Sequence, residues 1–333
     1  MIPNQWYVIL ESNEVKRGKP VGVTRLSEKL VAWRDARGQV TVMRDLCPHR
    51  GVALSAGKLI GDCIECPFHG FRYDTTGACK LVPANGRTAA PPKALRAHAY
   101  STREAHGFIY IWWGEPKNDL PPPPWFDNIA EGEFSTQTLR DHWTAHYSRA
   151  IENQLDVAHL PFVHQTTIGR GNQTLVNGPV YRVRQVPSGA RMDIWFDNAV
   201  DRGQPPRPAS EMPEPTRRPL LQFLFPNLWQ NWLGDALRIV IAFVPIDDTN
   251  TRMYIRGYQA IVRAPILREV FNVTNAIGNF VIERQDRRVV TTQRPKRSDL
   301  RGGEKLIPGD GPIIEYRRIR KTLIEQAGQW SNP

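Results

Sequence analysis

The residues that could carry chemistry are concentrated first in the segment 151–164. Asn153, Asp156 and His159 follow one another at intervals of three residues, so on a helix they would share one face. Pro161 removes a backbone donor and tends to end or bend a helix, which would bring His164 from the next turn of chain to the side of His159. Two imidazoles that converge near a carboxylate form the protein half of a two-histidine, one-carboxylate iron site that lacks its third ligand.

Two further pairs of residues compete for a place in such a site. Glu283 and Asp286 lie one turn apart on a predicted helix, and either carboxylate could be the third ligand. His142 and His146 form an i, i+4 pair that competes for the metal on spacing alone. No carboxylate is as well placed for this second pair, so we predict that His142 and His146 are structural.

A second group of possible ligands lies early in the chain. Cys47 and His49 form one short loop motif, and Cys66 and His69 form another. Two thiolates and two imidazoles suit either a tetrahedral zinc ion or a [2Fe-2S] cluster in which two histidines hold one iron. Zinc sites usually keep like ligands together in each half, whereas here each loop supplies one cysteine and one histidine. The two cysteines could then hold one iron and the two histidines the other, but on these four residues alone zinc and the cluster remain equal alternatives.

The elements that must position these groups fall into two domains. Up to about residue 118 the chain shows short alternating segments separated by turn residues, with a hairpin turn at 35–38, which predicts a small antiparallel β domain. The proline-rich segment 115–124 cannot be helix interior and is predicted to be a linker. We therefore expect one domain over residues 1–118 and a second over residues 119–333.

The second domain is predicted to combine helices with an antiparallel sheet, so the fold class is α+β. Helical periodicity predicts helices over 139–160, 265–292 and 312–328. Alternation predicts strands over 180–196, 220–231, 236–244 and 251–262. The segment 201–219 is predicted to be a long loop that could serve as a lid or entrance. Aromatic residues of the sheet that could line a cavity are Trp195, Phe223, Phe225 and Trp232, and most of them are expected to belong to the core.

Composition narrows the class of protein. The chain has 333 residues, which is long enough for two cores, and no apolar run long enough to cross a bilayer. Its start lacks the basic and apolar regions of an export signal, so a cytoplasmic location is expected. All four cysteines fall between positions 47 and 79, which favours metal ligation over disulfides, with Cys63 and Cys79 as core thiols. The net charge of +11 is scattered and no nucleic-acid or phosphate-binding motif accompanies it, so no nucleic acid and no membrane is expected as a partner.

The early loops carry a recognisable signature. They read Cys47-Pro48-His49-Arg50-Gly51 and Cys66-Pro67-Phe68-His69-Gly70. The proline and the glycine of both loops resemble the Rieske pattern, with Phe71 where many members have tryptophan. The segment from Asn153 to His164 resembles the motif of the Rieske oxygenases, in which Asn or Glu, Asp and two His precede a late aspartate. Asp286 stands at the corresponding late position.

This resemblance implies two metal centres. Cys47, His49, Cys66 and His69 would hold a Rieske [2Fe-2S] cluster, and His159, His164 and Asp286 would hold mononuclear Fe(II). Asp286 is preferred to Glu283 because its context fits the family and because a shorter carboxylate is easier to hold rigid.

Asp156 and Asn153 are assigned catalytic roles on the same ground. The carboxylate of Asp156 could accept the second ring N–H of His159. In the family this aspartate bridges to a cluster histidine, His49 or His69 here, of a neighbouring subunit. The two centres of one chain are too far apart for direct transfer, so a homotrimer is expected.

The implied activity is O2-dependent oxygenation by a helix-grip-like catalytic domain that follows a β Rieske domain. Electrons would come from NAD(P)H through a separate reductase or ferredoxin, and an aromatic or polycyclic organic substrate would be hydroxylated or oxidatively demethylated. The segments 151–170 and 303–320 resemble the branch that hydroxylates alkaloid-like compounds, including those of saxitoxin biosynthesis. The alternatives are a Rieske electron-transfer protein without oxygenase activity and a zinc-stabilised nucleic-acid-binding protein.

Overall fold

The computed structural model describes residues 1–130, 132, 134–300 and 302–328. The chain divides after Pro123, within the proline-rich segment 115–124, into two compact units. In the part of the chain so described, no helix has the length and apolarity needed to cross a membrane.

The first unit consists of short antiparallel strands in three sheets, as the alternating pattern predicts. Gly38 has a φ of +86° and its N–H donates to Asp35 O, which closes the predicted hairpin turn. The strands are β1 (Gln5–Glu11), β2 (Val21–Arg25), β3 (Glu28–Arg34), β4 (Val40–Arg44), β5 (Lys58–Ile60), β6 (Cys63–Glu65), β7 (Arg72–Tyr73), β8 (Cys79–Leu81), β9 (Ala99–Tyr100), β10 (Thr102–Ala105) and β11 (Phe108–Trp113). The sheets have the orders β1-β11-β10, β2-β3-β4-β9 and β5-β6-β7-β8.

The second unit is a seven-stranded antiparallel sheet with helices packed on it. Its elements are β12 (Ser135–Trp143), α1 (Tyr147–Leu155), α2 (Leu160–Val163), β13 (Leu175–Val186), β14 (Gly189–Ala199), β15 (Leu221–Leu224), β16 (Leu228–Gly234), β17 (Leu237–Pro245), β18 (Thr251–Gln259), α3 (Pro265–Val290) and α4 (Gly311–Gln326). The strand order is β12-β18-β17-β16-β15-β14-β13. Strand β17, which lies between β18 and β16, is almost wholly buried. The predicted α+β fold class is confirmed.

The long helix α3 reverses the usual amphipathic arrangement. Its buried residues include Asn272, Glu283 and Asp286, whereas Ile266 and Ile277 are exposed. A helix normally buries its apolar stripe and exposes its polar one. The polar stripe of α3 instead faces inward, where it packs against β12 and β18.

Some predicted elements need correction. The helix expected over 139–160 is wrong in its first part, because β12 extends to Trp143 and pairs along its length with β18. That ladder of backbone hydrogen bonds outweighs the local helical preference. The single strands expected over 180–196 and 220–231 are each two strands joined by a turn. The two late helices are confirmed and begin and end within two residues of the expected limits.

Candidate functional site

The segment 151–164 is not one continuous helix. α1 ends at Leu155, and Asp156 adopts an extended conformation with φ −81° and ψ 114°. Pro161 lies in the first turn of α2, where a missing backbone N–H costs nothing. The prediction that Asn153, Asp156 and His159 share one helical face is therefore wrong. The break comes at Asp156, and Pro161 begins the next helix instead of ending the first.

Three possible metal ligands converge in spite of this break. The rings of His159 and His164 lie with their centroids 5.2 Å apart. Asp286 Oδ1 lies 2.9 Å from His164 Nε2 and 3.5 Å from His159 Nε2. One ligand atom from each of the three residues falls within 4.8 Å of the other two.

The surroundings of these atoms suit a metal ion. Asp286 Oδ1 is buried and accepts no well-directed hydrogen bond from any described residue. A buried carboxylate oxygen without a donor is costly unless a cation satisfies it. Burial by itself lowers the pKa of His164, but the neighbouring Asp286 carboxylate outweighs burial and the pKa is raised. Two imidazole nitrogens and one carboxylate oxygen are the ligands of two-histidine, one-carboxylate iron sites, so this donor set fits ferrous iron.

Glu283, the rival third ligand, lies outside this group. Its Oε1 accepts a hydrogen bond from Trp143 Nε1 at 2.5 Å. Burial, followed by the nearby Asp141 carboxylate, raises the pKa of Glu283 to about 8. The structure thus brings Asp286, and not Glu283, to the two histidines.

Asp156 and Asn153 take different places beside the triad. Asp156 Oδ2 lies 3.8 Å from His159 Nδ1, and Asp156 Oδ1 accepts the Ala158 N–H at 2.7 Å. About a third of the Asp156 side chain is exposed. Asn153 does not line the cavity described below. The structure places Asp156 between His159 and the surface, and Asn153 one turn earlier on α1.

The two early loops have matching geometry. The N–H of Gly51 donates to Cys47 O and that of Gly70 donates to Cys66 O. Both glycines have positive φ, +74° and +70°, which side chains rarely tolerate. Cys47 and Cys66 belong to the core of the first unit and are 2% exposed.

The histidines of these loops lie outside the cysteines. His49 and His69 are exposed, and their ring centroids are 4.8 Å apart. Phe71 stacks on His49 with centroids 4.6 Å apart, so it fills the tryptophan position with another ring. Buried thiols beneath a pair of exposed imidazoles fit a [2Fe-2S] cluster whose histidine-bound iron is nearest the solvent.

Tyr73 was not expected from the motif. Its hydroxyl lies 3.3 Å from Cys47 Sγ. Burial, with Cys47 as the next cause, raises the pKa of Tyr73, so the phenol keeps its proton. It can therefore donate a hydrogen bond to a thiolate at Cys47. No sequence signal marks Tyr73, because its pairing with Cys47 depends on the fold of β7.

A cavity of about 610 Å³ opens beside the histidine and aspartate group. His159, His164 and Asp286 all contribute to its wall. The other lining residues are mainly aliphatic or aromatic, with several amides, and include Val157, Leu160, Phe196, Leu220, Leu221, Asn231, Trp232, Ile239, Ile241, Met253, Ile255, Asn275, Asn279, Ile282 and Glu283. The amides at 275 and 279 share the spacing of Glu283 on α3, so this periodicity could have revealed them.

Most of the four sheet aromatics that could line the cavity belong to the core instead, as expected. Of the four named, only Trp232 lines the cavity. The rings of Phe223 and Phe225 point away from the cavity. Their centroids lie 5.6 and 5.8 Å from the ring centroid of Tyr316 in α4. The indole N–H of Trp195 donates to Arg217 O.

His142 and His146 make polar contacts with Asn250 and Ser148, which agrees with the prediction that they are structural residues. His142 Nε2 lies 2.9 Å from Asn250 Oδ1. His146 Nδ1 accepts the Ser148 N–H at the start of α1, and burial lowers the pKa of His146 to about 3. Among the described residues neither belongs to a group of three possible metal ligands.

Comparisons with known families agree with this architecture. Residues 5–93 match the Rieske [2Fe-2S] domain, and residues 143–326 match the C-terminal domain of vanillate O-demethylase oxygenase. The second match covers more than half of the chain. The chain therefore belongs to the Rieske non-heme iron oxygenases, in the family with this C-terminal domain.

Relatives of known identity include oxygenases of several kinds. The chain is 32% identical to aminopyrrolnitrin oxygenase PrnD of Pseudomonas fluorescens over 202 residues, which cover 59% of this chain and 55% of PrnD. It is 32% identical over 201 residues to the iron-sulfur subunit TsaM1 of the toluene-4-sulfonate monooxygenase system of Comamonas testosteroni, which cover 59% of this chain and 56% of TsaM1. The chain thus matches about half the length of these relatives.

Solved structures share the whole fold. Pseudomonas putida CBB5 NdmA, as the QL mutant with caffeine, superposes with a TM-score of 0.74 at 20% identity and covers 99% of this chain and 98% of its own. Dicamba monooxygenase bound to dicamba gives a TM-score of 0.71 at 19% identity and covers 98% of each chain. At such identities the similarity establishes the fold alone.

Proposed function

We propose that this chain is the oxygenase component of a Rieske-type system that hydroxylates or oxidatively demethylates a small organic substrate. The observation that carries the proposal is the convergence of His159, His164 and Asp286 on the wall of a large, mainly apolar cavity. A Rieske electron carrier would need no such cavity. Electrons would come from NAD(P)H through a separate reductase or ferredoxin.

Residues of this chain would hold two metal centres and position the substrate. Cys47, His49, Cys66 and His69 would hold the [2Fe-2S] cluster, with the histidines facing the solvent where an electron donor can approach. His159, His164 and Asp286 would hold Fe(II). Iron bound there would supply the redox chemistry that activates O2 for insertion into a C–H bond. The apolar wall would exclude water and place the substrate against the open face of the site.

The cavity wall supports a largely apolar substrate with some hydrogen-bonding groups. Its surface combines aliphatic and aromatic side chains with the amides of Asn231, Asn275 and Asn279. Aryl methyl ethers, N-methylated heterocycles and polycyclic alkaloids share this combination. NdmA bound to caffeine and dicamba monooxygenase bound to dicamba share the fold, so N-methyl and O-methyl compounds belong in the first panel.

The test is iron content combined with product analysis. Purified, reconstituted protein should contain one iron beyond the two of the cluster and, with a compatible reductase, should release formaldehyde or a hydroxylated product from one member of the panel. His164→Ala should lose the additional iron and turnover but keep the paramagnetic signal of the reduced cluster. His142→Ala is the matched control and should keep both. Turnover by His164→Ala, or the absence of any additional iron in the wild type, would contradict the proposal.

We also propose that the active assembly is a homotrimer in which Asp156 links neighbouring centres. Its carboxylate lies near His159 and is partly exposed, so it can reach a second chain. Asp156→Asn should retain both metals, and the reduced cluster should fail to pass its electron to the mononuclear site in a single-turnover experiment. Full activity of this variant would refute the bridge. A monomeric active enzyme by analytical ultracentrifugation would refute the trimer.

A further inference from the structure

The side-chain amide of Gln285, a residue outside the recognised motifs, contacts the ring of His164. Gln285, the residue before Asp286 on α3, places its Oε1 2.8 Å from His164 Nδ1. The same oxygen accepts a hydrogen bond from Thr167 Oγ1 at 2.9 Å. The other end of the amide, Nε2, donates to Thr166 Oγ1 at 3.2 Å. Both ends of the side chain are engaged, and in this orientation the amide oxygen faces His164 Nδ1.

This orientation decides which ring nitrogen of His164 carries a proton. A carbonyl oxygen can only accept, so Nδ1 must be the donor in its contact with Gln285. In the neutral ring the lone pair then resides on Nε2. That nitrogen is the one 2.9 Å from Asp286 Oδ1, on the side where the possible ligands converge.

His159 is held differently. Its Nδ1 is 3.8 Å from the nearest Asp156 oxygen and is buried without a hydrogen bond from any described residue. His164 is therefore the histidine whose direction is fixed by a short contact within the chain. The contact also ties the turn 164–167 to the helix that supplies Asp286.

We propose that Gln285 is a positioning residue for the mononuclear iron, which keeps His164 in the Nδ1-protonated form and holds it against Asp286. The inference rests on the proposed function, because it assumes that this triad binds iron. Gln285 touches no reacting atom. It acts through His164, in the way that outer partners of metal-bound histidines raise ligand basicity and fix ring orientation.

The experiment measures Fe(II) binding directly. The mononuclear iron is removed by chelation from protein with an intact cluster, and Fe(II) is returned by equilibrium dialysis. Gln285→Leu should raise the Kd for Fe(II) by about 10- to 100-fold, the usual cost of losing such a partner. The paramagnetic spectrum of the Fe(II)-nitrosyl adduct should broaden as His164 loses its fixed direction.

Three further variants separate a positioning role from a general packing role. Gln285→Glu keeps an acceptor oxygen and should restore Fe(II) affinity. Gln285→Asn is one methylene shorter, should fail to reach His164 and should repeat the loss even if the leucine variant folds poorly. Asn272→Leu is the matched control, since it removes a buried amide of α3 that bonds Ser135 instead. It should leave the Fe(II) affinity unchanged.

The outcomes are distinct. Wild-type affinity and an unchanged nitrosyl spectrum in both Gln285→Leu and Gln285→Asn would overturn the inference while the proposed function stands. Wild-type protein that takes up no Fe(II) beyond its cluster would overturn the proposed function, and the inference with it.

Discussion

The carboxyl group of Glu283 should titrate near neutral pH, which makes the second unit sensitive to pH at the cavity wall. Burial is the first cause and the Asp141 carboxylate is the second. Arg287 Nη1 lies 2.7 and 2.8 Å from the two carboxylate oxygens of Asp141. Trp143 donates to Glu283 and works in the opposite direction, but it does not overcome burial.

The size of the effect on the free energy of unfolding follows from the pKa shift of Glu283. The pKa of Glu283 rises from 4.5 to about 8, and each pKa unit corresponds to about 1.4 kcal/mol, so the upper limit is about 5 kcal/mol. The folded state binds the proton more tightly than the unfolded state. The free energy of unfolding therefore falls as the pH rises from about 4.5 to 8, and this loss is absent below 4.5. Replacement by the neutral glutamine should remove the effect.

We expect Glu283→Gln to match the wild type near pH 5 and to unfold at a higher temperature near pH 8. Infrared difference spectra of protein without the mononuclear iron should show the carbonyl band of a protonated carboxyl that disappears near pH 8 in the wild type and is missing in the variant. Asp141→Asn should move that midpoint downward, because it removes the neighbouring charge. A midpoint at the ordinary value for a glutamate, or parallel stability profiles of wild type and Glu283→Gln, would refute the reasoning.

Two other predictions concern buried ionisable side chains. Burial lowers the pKa of His146 from 6.5 to about 3, so the wild type should lose up to about 5 kcal/mol as the pH falls from 6.5 to 3, since only the unfolded state gains the proton there. His146→Gln should flatten this acid limb in a thermal-unfolding series and keep its full iron content; an unchanged acid limb would contradict the assignment. The guanidinium of Arg317 lies 2.6 and 3.0 Å from the two oxygens of buried Glu152, so Arg317→Met should destabilise the second unit by about 3 kcal/mol because a buried carboxylate loses a partner. Chemical denaturation checks this, and a wild-type midpoint would show that the pair contributes little.

Features that depend on residues close together in the chain could be predicted from the sequence. The two Cys-His loops are local, and their glycines at 51 and 70 carry the positive φ that such turns require. The resemblance of these loops to the Rieske pattern, together with that of the segment 153–164 to the oxygenase motif, predicted a cluster domain followed by an oxygenase domain. The matches over 5–93 and 143–326 confirm that order. The two late helices were equally predictable, since helical periodicity depends on near neighbours in the chain.

Long-range packing decided the rest. Spacing alone could not separate Glu283 from Asp286, because they share one face of α3, and the preference for Asp286 came from the family resemblance and its shorter side chain. The placement of that helix against β12 and β18 brings Asp286 to the histidines. Residues 139–143, expected to be helical, form part of strand β12 because they pair with β18, and Phe223 and Phe225 pack against Tyr316 instead of lining the cavity. Gln285 carries no motif, and its contact with His164 spans 121 residues of sequence. Such choices depend on which surfaces are buried together, and the order of residues along the chain does not determine that by itself.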